Sequence, residues 1–400
     1  MGQEWAYHLM KNHPFYSPLF RIVCLFGLVL CLSACRSDSI AAEGGKAEER
    51  IRIEENRFVR DGKPIWLSGA NTPWHRWEAF GGNSGGERMD PEWWDAHFAK
   101  LAEIGVNNTR VWLSCNGYQG VEIRDDGYVV GPTPAFWEDV DRLMEIARRH
   151  RIYVMAGLIS FDHTKEGNPR YEAWRNLYAS RENMDSFAEN YAVPLVRRYR
   201  DNPWLFSIDI CNEILWMSDT ERPETGLFQW ENLQYLVART AQRVHEESEV
   251  LVSVSNYLKY TSPRYEGNKW SDEALRAVVD DPQAYLDFYK IHYYGWCYPH
   301  FGFHLQATPE QLGMGDKPAI TGEISALGAF RQIRSEDGTR REVLLMSLAE
   351  AYRLSLQNGW QGIQPWTSNG VDIHGDWRQI AEASVPFAEN HPELVDPTSL

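Results

Sequence analysis

Two glutamates in this chain each close an apolar run. Glu213 follows Asn212 near the end of LFSIDICNEI, Leu205 to Ile214, and Glu323 ends PAITGE. A carboxylate taken out of water unpaired is costly or shifts its pKa, so carboxylates at the ends of strand-like runs call for a use. A protonated and an ionised carboxyl facing each other across a short gap can protonate a leaving oxygen while attacking the carbon it leaves. That is the chemistry of glycosidic bond cleavage. Other polar and aromatic residues stand at comparable strand ends: Asn71, Trp74 and His75, then Arg110 with Trp112, Asp162-His163, His292-Tyr293-Tyr294, and Trp366.

These residues need a scaffold that brings distant strand ends to one place. The sequence predicts strands at 65–70, 106–113, 152–158, 204–210, 250–255, 287–293, 318–323 and 361–366. Several are near-continuous apolar runs, the pattern of parallel strands covered on both faces. Amphipathic stretches lie between them. One starts at Asp90-Pro91, a cap and first-turn proline, and ends at Gly105. Another, from Pro134, carries acidic residues early and basic residues late, which complements the helix dipole. Helical patterns also cover about 182–199, 227–247, 339–358 and 375–390, while the segments after strands 5 and 6 are more loop-like. Eight strand-plus-crossover units specify a single-domain α/β fold, a (β/α)8 TIM barrel, whose active sites form at the C-terminal strand ends. An open doubly wound sheet is the alternative, but it would carry a Gly-rich phosphate turn after strand 1, where this chain has NTPWHRW. The lead-in IRIEENRFVRDGKPI reads as a hairpin turning at Asp61-Gly62 that caps the barrel bottom.

Composition narrows the partners. The 400 residues are 43% apolar and carry a formal charge of −16, which disfavours nucleic acid and anionic lipid surfaces. Most of the 17 tryptophans are expected in the core, but indoles also stack on sugar faces. Lys11 and Arg21 precede the apolar run IVCLFGLVLCLSA, and LSAC ends at Cys35. This resembles the lipobox of bacterial lipoproteins. It implies a signal peptide over 1–34, lipidation at Cys35 and export to a membrane anchor, followed by a tether over 35–50. An ordinary secretory peptide is the alternative. The rest, 51–400, is expected to be the catalytic domain, and the protein a monomer. Cys115, Cys211 and Cys297 are too few and too scattered for a disulfide framework. His163, His300 and His304 form no close ligand set and no HExxH, so neither a metal nor another cofactor is expected.

The constellation resembles glycoside hydrolase family 5 and its clan A relatives, the retaining (β/α)8 glycanases, over residues 51–390. The matching pieces are RFVRDGKPIWLSGAN, GVNNTRVW, CNE, KIHYYGW, ITGE and GIQPW. The resemblance implies Glu213 as acid/base and Glu323 as nucleophile. It implies Arg110 steadying Glu323, a His292/Tyr294 pair, a Trp366 platform and a strand-3 histidine at His163. Elementary chemistry agrees. Arg110 and the Tyr294 hydroxyl would keep Glu323 ionised, apolar walls would raise Glu213, and Asn212 can hold a sugar 2-hydroxyl. The chain departs from the family at Ile214, where Pro is usual, and in GEISALG. The aromatics after LSGAN, Trp74 first, resemble those of mannanases and point to β-1,4-mannan. A β-glucanase, an exo-β-glycosidase and a catalytically silent glycan-binding lipoprotein remain the other readings.

Overall fold

The computed structural model describes residues 49–396, apart from 78–79, 83–87, 116, 118, 222–227 and 336–337. Cys35 and nearly all of the leader and tether lie outside the described residues.

All eight expected barrel strands form. They are β1 Leu67–Asn71, β2 Asn108–Trp112, β3 Tyr153–Ser160, β4 Leu205–Asn212, β5 in two pieces (Leu251–Ser253 and Ser255–Tyr257), β6 Tyr289–His292, β7 Ala319–Ser325 and β8 Gly362–Trp366. Every pairing among them is parallel. The broken fifth strand closes the barrel. Its first piece pairs with β4 and its second with β6, so the sheet returns on itself. Nearly every strand residue is buried, as apolar runs covered by side chains inside and helices outside must be.

The helices start where their caps are. The Asp90 side chain accepts from Trp93 N ahead of Pro91–Glu103, and Thr133 accepts from Phe136 N ahead of Pro134–His150. The predicted 182–199 helix is one helical run, Arg181–Tyr199, carrying a π turn at Ala188–Ala192. The helix expected over 339–358 is corrected. Arg340–Met346 is a strand paired antiparallel with Ala329–Arg334, and only Leu348–Gln357 is helical. The capping box between Ser347 and Glu350 fixes that start.

The lead-in forms three antiparallel strands, Arg52–Glu54, Arg57–Arg60 and Lys63–Pro64. Its turns, Glu55-Asn56 and Asp61-Gly62, have positive φ at both central residues, the hairpin geometry that matches strand twist. Phe58 meets Phe206 and Phe288 edge-on, each at 5.4 Å between centroids. Those rings sit at the N-terminal ends of β4 and β6, so the lead-in stoppers the barrel bottom as expected.

Candidate active site

Asn212 ends β4, and Glu213 then turns left-handed at φ 48° and ψ 45°. A non-glycine residue pays for that conformation. The turn stops the strand and hands the chain to a 3-10 turn at Ile214–Met217. Glu213 is buried, with both oxygens engaged. Tyr257 donates its hydroxyl to Oε1 at 2.5 Å, His292 Nδ1 lies 3.0 Å from Oε1, and Trp216 Nε1 donates to Oε2 at 2.8 Å.

Glu323 lies within β7 across the mouth. Arg110 donates to its Oε1 at 2.6 Å, and the Tyr294 hydroxyl donates to its Oε2 at 2.6 Å. His292 Nδ1 is 3.4 Å from Glu323 Oε2, so one imidazole nitrogen faces both carboxylates. The facing atoms of Glu213, His292 and Glu323 all lie within 4.8 Å of one another. That gap suits direct attack by one carboxylate. It is short of the roughly 6.5–9.5 Å that leaves room for an inverting enzyme's water. A metal could be held at such spacing, yet all four carboxylate oxygens already accept hydrogens from protein donors. The donor set suits proton transfer.

The two carboxyls differ in surroundings. Burial pushes Glu213 up from its ordinary value, opposed by the hydrogen bonds from Tyr257 and Trp216. Glu323 has a guanidinium in direct contact. Burial pushes His292 down to about 3, so it stands neutral between them. Arg110 is the hub. It reaches Asp209 at 2.8 Å, Asn212 Oδ1 at 2.7 Å, Ser255 Oγ at 3.0 Å and Asn71 Oδ1 at 3.3 Å. Asn71 also donates to the backbone of Gly322 and Gln364, which ties β1 to β7 and β8 beside Glu323.

Trp366 and Trp112 are buried and pack against half-buried Trp74, at 5.9 and 5.2 Å between centroids. Trp77 joins Trp74 at 4.5 Å, and Asp372 orients Trp366 through its Nε1 at 2.7 Å. The Arg110 guanidinium lies 5.1 Å from the Trp112 ring, so the aromatic wall and the carboxylates share a neighbour. His163 does not join this group. It is fully buried, with Nδ1 on the Ser160 carbonyl and Nε2 on the Tyr178 hydroxyl, and burial lowers it to about 4.

Sequence reasoning passed over Tyr257 and Asp209 and took Trp216 as packing. Tyr257 lies two residues beyond the expected end of strand 5. Asp209 stands in the sequence as a lone carboxylate inside the apolar run of β4, and Lys290 as a lone cation in that of β6.

No protein-family model matches this chain. Among curated proteins, it is similar to a mannan endo-1,4-beta-mannosidase of Mytilus edulis, 21% identical over 359 residues, covering 83% of this chain and 92% of that protein. Among solved structures, it resembles the endo-1,4-beta-mannanase of Eisenia fetida, with TM-score 0.69, 18% identity and coverage of 84% and 94%. It also resembles the beta-1,4-D-mannanase of Cryptopygus antarcticus, with TM-score 0.70, 17% identity and coverage of 84% and 93%. These likenesses span nearly the whole of each relative and show a shared single-domain (β/α)8 fold.

Proposed function

We propose that this chain is a retaining endo-β-1,4-mannanase. One observation carries the reading: two buried carboxyls on β4 and β7 sit within reach of one another in opposite electrostatic settings. Glu323, held by Arg110 and Tyr294, attacks the anomeric carbon while Glu213 protonates the departing oxygen. The glycosyl ester then removes the Glu323 charge, Glu213 becomes the base, and water releases the sugar. The Trp366, Trp112 and Trp74 wall offers apolar faces to pyranose rings. The mannan specificity draws support from the names of the relatives and from the aromatics after LSGAN.

Assay on β-mannan, glucomannan, cellulose and β-1,3-glucan, with sizing of products, tests this. Short oligosaccharides from mannan are expected from the wild type, and none from Glu323→Gln. Preferential cleavage of a glucan would move the substrate to the β-glucanase reading. Binding with no release from any glycan would favour the silent binder. For the leader, we propose export as a lipoprotein, on the strength of the LSAC sequence. Metabolic labelling with palmitate in a bacterial host should mark the wild type and miss Cys35→Ser.

A further inference from the structure

Below the mouth, the barrel interior holds an ion cluster that the reaction does not consume. Asp209 Oδ2 receives Arg110 Nε at 2.8 Å, Lys290 Nζ at 2.7 Å and Ser255 Oγ at 2.6 Å. Arg110, Asp209 and Lys290 are all fully buried. Lys290 otherwise touches Met155 Sδ at 3.3 Å. TIM-barrel interiors are ordinarily filled with branched apolar residues. A buried ion pair adds little stability over an apolar pair of similar volume, so packing alone does not account for a lysine and an aspartate here.

Charge counting accounts for them. The barrel interior and its mouth hold Asp209, Glu213 and Glu323 against Arg110 and Lys290, with His292 neutral. The two cations contact Asp209 and Glu323, and neither contacts Glu213, which burial pushes up. Asp209 is held down to about 2: burial alone would raise it, and Lys290 and Arg110 outweigh that. Glu323 sits on Arg110, whereas Glu213 has only neutral donors on its oxygens. Without Lys290, Arg110 would serve Asp209 and Glu323 alone.

Resting on the glycosidase reading above, we propose that Lys290 is a positioning residue. It neutralises Asp209 so that the Arg110 charge is available to Glu323, and so sets which carboxyl is acid and which is nucleophile. The groups around these carboxyls are Arg110 from β2, Asp209 and Cys211 from β4, Tyr257 from β5, His292, Tyr294 and Cys297 from β6 and its exit, and Asp372 beyond β8, near Tyr294. Asp162 from the exit of β3 adds a negative charge near Glu213. Burial and Arg110 draw Lys290 down to about 7 against Asp209, so it carries its charge across the acidic range where Glu213 must stay protonated.

The test compares Lys290→Met, the double variant Lys290→Met/Asp209→Asn, and wild type. The readouts are the carboxyl 13C titrations of labelled Glu213 and Glu323, and the pH profile of kcat/KM. Removing Lys290 leaves Arg110 to serve Asp209 and Glu323 alone, so the acid limb of the profile should move alkaline by about one unit in Lys290→Met, and the Glu213 titration and the alkaline limb by less, which narrows the gap between the two carboxyls. Removing Asp209 as well restores the balance and should return them to wild-type positions. Unmoved titrations in folded Lys290→Met would overturn the proposal, as would a shift that the double variant fails to reverse. If Lys290→Met fails to fold and the double variant folds, the coupling is upheld; if neither folds, the pair belongs to the core and the proposal fails. The NMR titration needs no substrate. If wild type cleaves no glycan but the titrations shift as stated, the function assigned above fails and the charge assignment stands.

Discussion

Glu213 and Glu323 share one histidine but differ in what surrounds their oxygens, and the proposed mechanism divides the labour along that difference. Glu213 is raised by burial. Its acid form therefore persists above the usual carboxylate range, and the alkaline limb of kcat/KM should lie higher than an exposed glutamate would place it. Linkage gives the sign for stability. A carboxyl whose folded pKa is raised stabilises the fold below its unfolded value, and the contribution is lost as pH rises through the folded value. Glu213→Gln should therefore be more stable than wild type at neutral pH and lose that advantage on acidification, as thermal melts at two pH values will show. The same variant should lose about 10²–10⁴-fold in kcat, the usual worth of a general acid. His292, lowered to about 3, should contribute no limb between pH 4 and pH 8.

The elements place those residues, and each element's role can be tested apart from the chemistry. Phe58, on the strand Arg57–Arg60, closes the barrel bottom against Phe206 and Phe288, far along the strands from the carboxylates. Phe58→Ala should cost about 3–5 kcal/mol of unfolding free energy, measured in urea, with KM for the polysaccharide unchanged. The eight strands were legible because a buried parallel strand leaves a long apolar run. The arm over 329–346 was not. REVLLM offers helical as well as alternating spacing, and its strand identity comes from pairing with Ala329–Arg334. A local cue was present, since Ser347 and Glu350 form the capping pair that starts the true helix. The closure of the barrel through the two pieces of β5 could not be read from the chain, because it depends on which neighbour each piece meets.

At the scale of the molecule, barrel closure turns residues over a hundred positions apart into neighbours. The two carboxyls proposed as catalytic, Arg110 and the tryptophan wall were legible because each lies in or close after a recognisable strand. The ionic interior was harder to see. A lone Asp209 or Lys290 within an apolar run gives no hint of its partner until β2, β4 and β6 enclose a common space. The formal charge of −16 fits a neutral glycan better than a polyanion. Raising salt from low to physiological levels should therefore leave KM for unsubstituted mannan within about twofold, because screening acts on exposed charges and not on the enclosed pair. The spacing of that pair makes the most direct test a stereochemical one. Proton NMR of a β-1,4-mannooligosaccharide during the first minutes of hydrolysis reports the anomer released. The close carboxylates, with oxygens within 4.8 Å, predict the β anomer first, with α appearing later by mutarotation. Initial release of the α anomer would contradict the double displacement assigned to Glu323 and Glu213.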